Sequence, residues 1–361
     1  MPVQGIGRES PGFQQMNANI ELGKFLSSWA GADADRAAVA AVVRAVAEAG
    51  VQIAACVSRG ALAQGLGVVK GRSEEADVQK QLDLSANEVL IECLREAPVA
   101  VIASTELDAP VVIEAGAPLA VAIDPLDGSA NFDTNATLGT IFSVLPAKSN
   151  GSPEAAFLQP GTSQLAAGFV VHGPQTVLVF SLGEGTSVFT YDRDLHTFLL
   201  SNPSARVAGE AREYAINASN YRHWGEAIRM YVDDIIKGDE GPRGENFNMR
   251  WGPSPVAEVY RILVRGGIYL YPADSRKGYT QGRFRLVFAA SPIAFVVEQA
   301  GGGASTGEER ILDLVPKALD QRVPLIVGSK GEVDYVARLH QEPHAHGLRS
   351  PLFGHRGLFR V

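Results

Sequence analysis

Short, continuous runs of apolar residues restrict the fold of this 361-residue chain more than any other feature of its sequence. Residues 99–103 and 119–123 contain no polar side chain, and three further strands are predicted at 139–144, 168–171 and 176–180. Uninterrupted runs of this length are typical of strands that are buried on both faces. The chain therefore needs a covering layer on each side of a sheet.

Helical periodicity precedes these strands. Residues 32–55 place valines at i, i+3, i+4 and i+7 from Val39, and Asp33 is available as an N-cap. A second helix is predicted to begin near Ser85, because a glutamate three residues later completes a capping box. The polar residues 73–83 before it are predicted to form a loop.

Helices and strands alternate in the second half as well, which favours a layered α/β fold. The predicted helices lie at 226–237, 256–264 and 292–300, and the predicted strands at 268–271, 284–288 and 323–327. The polar segment 201–206 is the candidate boundary between two domains. We predict a first domain over 19–206, a second over 207–337 and a loose tail over 338–361.

The charge balance argues against nucleic acid as a partner. Lysine and arginine number 32 against 40 acidic residues, which gives a net charge of -8, and no basic stripe is visible. Nucleic-acid-binding proteins normally contain such a stripe. A phosphate ligand would therefore have to be bound locally, by a few arginines, backbone amides or cations.

The sequence predicts a cytoplasmic protein without a membrane partner. Two cysteines, Cys56 and Cys93, cannot build a disulfide framework. No apolar run approaches the roughly 20 residues that cross a bilayer, and the first residues lack the apolar core of a signal peptide.

One acidic segment follows directly on a predicted buried strand. Asp124 ends that strand and Asp127 lies three residues later, with the backbone carbonyl of Leu126 between them. Such a group of hard oxygen donors suits Mg²⁺. The backbone N–H groups of Gly128 and Ser129 could then hold a phosphate oxygen. From the residues alone, an ordinary aspartate-rich turn is an equally good interpretation.

A longer motif favours the functional interpretation. Asp-Pro-Leu-Asp-Gly-Ser-Ala-Asn-Phe-Asp at 124–133, followed by Gly-Thr-Ile-Phe at 139–142, resembles the signature of the lithium-sensitive, Mg-dependent sugar and inositol phosphatases. Within them the chain is most similar to the class I fructose-1,6-bisphosphatases over roughly residues 20 to 337. Supporting segments lie at 217–221, 261–272, 298–303 and 311–329. The resemblance implies a layered α-β-α-β-α sandwich and hydrolysis of the 1-phosphate of fructose 1,6-bisphosphate, in gluconeogenesis or the Calvin cycle. Sedoheptulose 1,7-bisphosphate is a second candidate substrate, because the reacting end of the two sugars is the same.

The resemblance also implies roles for individual residues. Asp77 and Asp83 would orient and deprotonate the attacking water. The implied metal ligands are Glu106, Asp124, the carbonyl of Leu126, and Asp127, with Mg²⁺ as the cofactor and Mn²⁺ as a substitute. The implied substrate-binding residues are Asp127, Gly128, Ser129, Asn217, Tyr221, Arg250, Tyr271 and Arg283. The arginine of the family that matches Arg250 reaches the sugar phosphate of a neighbouring subunit, so a homotetramer is expected.

Two positions depart from the family pattern. Thr105 stands where a metal-binding glutamate is expected, and Glu106 either takes that role by a one-residue shift or matches an outer glutamate. Ala289 stands where a metal-bridging glutamate is expected. Loss of two anionic ligands should weaken a site for a hard cation. The family's AMP site is also expected to be missing, because Asp33 falls at its phosphate loop.

These departures leave a second hypothesis open. Thr105 and Ala289 would suit a regulatory protein that binds sugar phosphates and has lost turnover, whereas the four aspartates Asp77, Asp83, Asp124 and Asp127 support an enzyme. A third possibility, an inositol monophosphatase, fits less well because such chains are shorter and lack the region around Arg250.

Overall fold

The computed structural model describes residues 20–60, 62, 74–148, 151–210, 212–252 and 254–341, and within the helix that begins at Glu74 it describes side chains from residue 80 onward. In this part of the chain the helices are α1 (Leu22–Ala30), α2 (Ala34–Ser58), α3 (Glu74–Leu94), α4 (Glu226–Ile236), α5 (Pro255–Arg265), α6 (Ser291–Gln299) and α7 (Lys330–Gln341). The strands are β1 (Val99–Ser104), β2 (Val111–Val112), β3 (Leu119–Asp127), β4 (Leu138–Pro146), β5 (Ala166–His172), β6 (Thr176–Ser181), β7 (Thr186–Asp192), β8 (Thr197–Ala205), β9 (Glu213–Ala215), β10 (Asn248–Met249), β11 (Ile268–Tyr271), β12 (Phe284–Arg285), β13 (Gly303–Ser305), β14 (Arg322–Val323) and β15 (Leu325–Gly328).

The strands form two main sheets and one short pair. The larger sheet has eight strands in the order β2-β1-β3-β4-β5-β6-β7-β8, and the smaller has five in the order β10-β9-β11-β15-β13. In the larger sheet β1 and β3 are parallel and the other neighbours are antiparallel. Strands β12 and β14 pair separately.

Five layers follow from the way the side chains of the two sheets are buried. On the eight-stranded sheet, Phe142 and Phe180 pack against α1, α2 and α3. The opposite face, which includes Phe169, packs against α5 and α6, and these helices also contact the five-stranded sheet. Helices α4 and α7 cover the outer face of that second sheet, around Leu270 and Ile326. The predicted α-β-α-β-α sandwich is confirmed.

Helix α2 is the most apolar element. Asp33 caps it as predicted, because its side chain accepts from the N–H groups of Asp35 and Arg36. An 18-residue window of α2 has a mean hydropathy of 1.6, which satisfies the length and composition test for a membrane span. The prediction that no apolar segment approaches that length is therefore wrong. More than half of the window is buried, and Val42 and Val46 are fully buried beneath the eight-stranded sheet, as in any core helix.

Two segments that were predicted as irregular are regular. Helix α3 begins at Glu74, so the loop predicted at 73–83 is helical from Glu74 onward and Ser85 lies inside the helix. These residues are polar, but glutamate, alanine, glutamine and lysine are good helix formers. The segment predicted as a boundary at 201–206 extends β8 to Ala205. Because β8 is an edge strand, it tolerates polar residues and Pro203.

Two predicted strands differ in the second half. The strand predicted at 284–288 ends at Arg285, and Leu286–Ala290 forms a wide helical turn that continues into α6. Periodicity alone cannot separate a short buried strand from a buried helical turn. Pro324 divides the other strand into β14 and β15. The predicted tail begins within α7, which extends to Gln341, and its remainder lies outside the described residues. The domain division itself stays a prediction.

A glycine in β4 allows α5 to approach the sheet. Gly139 lies opposite Asp127 in the β3–β4 pair, and a Cβ at this position would lie 2.2 Å from Cγ2 of Val256. The first turn of α5 can therefore reach β4, where the backbone N–H of Val256 donates to the Asp127 carboxylate.

We expect Gly139→Ala to lower the free energy of unfolding by about 1 to 3 kcal/mol, because the added methyl group would force Val256 away from β4. Urea unfolding measures this loss. Gly23→Ala is the matched control, since a Cβ at Gly23 in α1 meets no atom within 4 Å. Equal stability of the Gly139 variant and the unaltered protein would contradict the proposed close approach.

Candidate active site

The acidic segment of the sequence forms a bulge at the end of β3. Asp124 pairs with Ile141 and Asp127 with Gly139, so β3 has one more residue than β4 over this interval. Pro125 has no N–H for the strand ladder, and its carbonyl accepts a hydrogen bond from Oγ1 of Thr140 at 2.8 Å. The bulge places the two aspartates close enough for the charge of Asp124 to raise the pKa of Asp127.

A buried histidine supports this bulge from the other side of β4. Nε2 of His172 lies 2.9 Å from Oγ1 of Thr140. Because the threonine hydroxyl donates to Pro125, it accepts from the ring, and we therefore assign the proton to Nε2. Nδ1 is buried and has no partner among the described residues. Burial lowers the pKa of His172 from its ordinary 6.5 to about 3, so the ring is neutral.

Four carboxylates from three elements surround the bulge: Asp83, Glu106, Asp124 and Asp127. Oγ of Ser129 donates to Oδ2 of Asp83 at 3.2 Å, which connects α3 to the loop after β3. The hydroxyl of Thr105 lies 3.2 Å from Oε1 of Glu106 and 3.4 Å from Oδ1 of Asp124. The hydroxyl therefore lies between two carboxylates and can donate its single proton to either one.

The pKa values of Asp83, Asp124 and Asp127 are raised, because the groups are partly buried and few positive charges lie nearby to stabilise the ionised carboxylates. Burial, followed by the charge of Glu106, raises the pKa of Asp83 to about 6, although the Ser129 hydroxyl acts in the opposite direction. Burial also raises the pKa of Asp124 to about 6, helped by Glu106 and Asp83. The pKa of Asp127 lies well above its usual range because of burial and the neighbouring Asp124.

The donor chemistry of this cluster fits a hard divalent cation. Oδ2 of Asp127 is buried without a hydrogen-bond partner among the described residues, and carboxylate oxygens are the ligands that Mg²⁺ prefers. The distances between these carboxylates differ from those in an assembled metal-ligand shell. Across the part of the chain that the structure describes, no three acidic, histidine or cysteine side chains converge on one metal position.

Arg285 is a cation beside the carboxylates that the predicted site did not include. Its Nη1 donates to the backbone carbonyl of Thr105 at 3.4 Å, and its charge acts to lower the pKa of Asp124. The sequence contained one indication of this role, because Arg285 follows the predicted substrate residue Arg283 by two positions within the strand predicted at 284–288.

An aromatic group adjoins the carboxylates on the side of the second sheet. Burial and the charge of Asp127 raise the pKa of Tyr269 well above its usual range. Tyr269 stacks on Trp251 with ring centroids 5.9 Å apart and lies 6.4 Å from the ring of Tyr271. Tyr269 therefore lies between the aspartates of the bulge and Tyr271.

Arginines surround the hydroxyl end of Tyr271. Its pKa is raised by burial and by Tyr279, whereas Arg283 and Arg276 act to lower it. The guanidinium of Arg283 lies 4.6 Å from the ring centroid of Tyr279, and that of Arg276 lies 4.0 Å from the same ring. This region has the charge that a phosphate requires.

The other predicted substrate residues lie in a turn beside this group. Asn217 begins the turn and its side chain accepts from the N–H of Ser219, while the hydroxyl of Tyr221 donates to Asp233 at 2.8 Å. The carbonyl of His223, at the end of the turn, accepts from the N–H of Ser275 at 3.0 Å. This bond connects the turn to the loop after Tyr271.

Arg250 lies apart from these residues. It is half exposed, and its Nε donates to Oε1 of Glu213 at 3.3 Å. Among the described residues, no hydrogen bond or ion pair joins the Arg250 side chain to another predicted substrate residue.

The remaining predicted residues are placed by the backbone. Gly128 has φ 82°, in the left-handed region that favours glycine, and turns the chain into Ser129. Leu126 lies inside the bulge with its side chain buried. Asp77 lies within α3, but its side chain is outside the described residues.

Comparisons with known proteins agree with this geometry. Residues 23–203 match the family model described as "Fructose-1-6-bisphosphatase, N-terminal domain", and residues 207–341 match the model of its C-terminal domain. The chain is 56% identical over 326 residues to "Fructose-1,6-bisphosphatase class 1" of Sinorhizobium medicae, covering 90% of this chain and 93% of that protein. The protein of the same name from Rhizobium meliloti is 55% identical over the same shares.

A solved structure has the same fold. The crystal structure of Leishmania major fructose-1,6-bisphosphatase in holo form matches with a TM-score of 0.80 at 28% identity, covering 89% of this chain and 99% of that one.

We expect His172 to make stability depend on pH. Below pH 6.5 the unfolded chain binds a proton that the folded chain, with a pKa near 3, does not bind, so stability falls as the pH drops from 6.5 toward 3. Between these values the slope from this group is about 1.4 kcal/mol per pH unit. Urea unfolding at pH 7, 6 and 5 should give a correspondingly shallower slope for His172→Gln, which keeps an N–H donor. Identical slopes would show that the ring is accessible to protons.

Proposed function

This chain belongs to the fructose-1,6-bisphosphatase family, and we infer that it is a phosphatase that hydrolyses fructose 1,6-bisphosphate to fructose 6-phosphate and phosphate. The observation that supports this most is the junction at Asp127, which lies beside Asp124 on one side and Tyr269 on the other. A carboxylate cluster for the reacting phosphate thereby adjoins an arginine-rich pocket for the rest of the substrate.

The carboxylate end would hold the metal and the attacking water. Glu106, Asp124, the carbonyl of Leu126, and Asp127 would bind Mg²⁺, with Mn²⁺ as a substitute. When bound, the cation neutralises phosphate charge and lowers the pKa of water. Asp83, whose pKa is raised to about 6, would accept the proton of that water together with Asp77.

The backbone after the bulge would hold the 1-phosphate. Gly128 and Ser129 present N–H groups where the chain turns. The hydroxyl of Ser129, 3.2 Å from Asp83, would keep that carboxylate beside the phosphate. Positioning and charge stabilisation would then supply most of the rate enhancement.

The far end of the sugar would lie against Asn217, Tyr221, Tyr271 and Arg283. Arg250, half exposed and held by Glu213, would reach the site of a neighbouring subunit in a homotetramer. We further propose that the protein acts in the cytoplasm, in gluconeogenesis or the Calvin cycle, and that it is insensitive to AMP.

The departures at Thr105 and Ala289 bear on metal affinity. Thr105 presents a hydroxyl to Glu106 and Asp124 where a carboxylate is expected, and Ala289 is buried among apolar residues. A site with fewer anionic ligands would bind Mg²⁺ more weakly. A sugar-phosphate-binding protein without turnover is the second candidate, and the same two residues favour it.

Asp124→Asn should lower kcat by at least about a hundredfold, because it removes a charge at the centre of the cluster. Phosphate release from fructose 1,6-bisphosphate across a Mg²⁺ titration measures this, with the exposed Asp239→Asn as control. No turnover by the unaltered protein with Mg²⁺ or Mn²⁺, while the sugar phosphate still binds, would favour the regulatory protein.

Thr105→Glu should lower the Mg²⁺ concentration for half-maximal activity by roughly tenfold, since it adds an anionic ligand beside Glu106 and Asp124. Calorimetric titration with Mn²⁺ should show the same increase in affinity without substrate. Thr105→Gln has the same size and no charge, and it should leave the affinity near that of the unaltered protein. A glutamate variant that behaves like the glutamine variant would separate Thr105 from the metal site.

A further inference from the structure

Three guanidinium groups lie together on the short β12–β14 pair. Phe284 lies opposite Val323 and both side chains are buried, whereas Arg285 lies opposite Arg322 one position along. Because strand side chains alternate, the two arginines share the face that the apolar pair does not occupy. Arg283 lies in the bend just before Phe284, and its charge acts on Arg322 together with that of Arg285.

Arg322 is connected directly to the neighbouring strand. Its Nη1 donates to the backbone carbonyl of Arg283 at 2.6 Å. We call Arg283, Arg285 and Arg322 the arginine strip. Like Arg285, Arg322 is not among the predicted site residues, and its side chain is largely exposed.

The charges of the arginine strip are poorly compensated. In the described part of the chain, none of the three lies within 4.0 Å of a carboxylate oxygen, whereas most other buried or half-buried arginines around the second sheet have such partners. Burial and the charges of Arg285 and Arg283 lower the pKa of Arg322, and Asp320 is the acidic residue that acts against them. Three neighbouring cations without carboxylate partners among the described residues repel one another and therefore favour an anionic ligand.

The arginine strip spans the two ends of the site. At one end Arg285 donates to Thr105 and acts on Asp124, where the reacting phosphate would lie. At the other end Arg283 lies against Tyr279 and acts on Tyr271. Arg322 lies opposite Arg285 in the strand pair and donates to the carbonyl of Arg283, so it is connected to both ends.

We propose that Arg322 is a specificity-determining residue, whose charge allows the arginine strip to bind a sugar with two phosphates more tightly than a sugar with one. The inference rests on the proposed function, because it takes the substrate of the same site as its ligand. A bisphosphate places about four negative charges along the strip, and a monophosphate places about two, so the third cation matters more for the former.

The competing explanation is that Arg322 only braces β12 through its bond to the Arg283 carbonyl. Two substitutions separate charge from bonding. Arg322→Gln keeps an N–H donor and loses the charge, whereas Arg322→Lys keeps the charge on a different donor geometry. The control Arg193→Gln makes the same change in net charge at the exposed β7–β8 turn, near the far edge of the eight-stranded sheet.

The experiment measures KM and kcat for fructose 1,6-bisphosphate at saturating Mg²⁺, together with inhibition by the product fructose 6-phosphate. We expect Arg322→Gln to raise KM by roughly tenfold at low salt, the effect of one lost bond between charged groups, while kcat stays within about twofold. The inhibition constant of the monophosphate should change by no more than about twofold, and the increase in KM should shrink as salt screens the charge. Arg322→Lys should remain near the unaltered protein.

Several outcomes would overturn the proposal. An unchanged KM in Arg322→Gln, an equal loss in the lysine and glutamine variants, or equal weakening of monophosphate and bisphosphate would each assign Arg322 a purely structural role. Thermal unfolding of every variant identifies any that fail to fold, in which case the lysine variant alone decides. If the unaltered protein does not hydrolyse the bisphosphate, the proposed function fails separately. Calorimetric binding of the bisphosphate to the same variants then tests the strip.

Discussion

The site depends on one partly buried carboxylate, that of Asp127, whose Oδ2 atom is shielded from water. Asp127 ends β3, receives the N–H of Val256 from α5 and keeps one oxygen without a partner among the described residues. Its position requires the glycine at residue 139, because a side chain there would push α5 away. A buried unpaired carboxylate oxygen costs free energy in the isolated chain. That cost is what a bound cation would offset, so metal affinity and local instability arise from the same arrangement.

Two oppositely charged groups of side chains would lie on either side of the substrate in the proposed function, and they compensate each other little. The carboxylates raise one another's pKa, and the arginines of the strip lack carboxylate partners within the described residues. Arg285 is the point at which the two groups interact most directly. A metal ion and a sugar bisphosphate together would supply the missing charges to both sides. This explains how a chain with net charge -8 can bind a polyanion without an overall basic surface.

Buried strands could be predicted because their signal is local in the chain, whereas the five layers were implied by the family resemblance that a contiguous motif carries. The strands around Asp124 are short apolar runs, and the motif from Asp124 to Ser129 is contiguous. The contact of His172 with Thr140 behind the motif could not be predicted in this way. It forms because strands β4 and β5, which are distant in sequence at these residues, pair in the sheet. Arg322 likewise joins the site through a partner 39 positions away. The predictions failed at α3 and β8 because both segments are polar. Exposed helices and strands can be as rich in polar residues as loops are.

The middle layer makes the two sequence segments depend on each other. Helices α5 and α6 come from the second family segment, yet they cover the inner face of the sheet formed by the first, in one apolar cluster with Phe169 and Val179. A fragment that ended after β8 would leave that face of eight strands open to water. The chain therefore matches two family models, but the two segments share one hydrophobic core. Neither segment completes this core alone. A substitution in the second half can therefore disturb the packing behind the carboxylates of the first half.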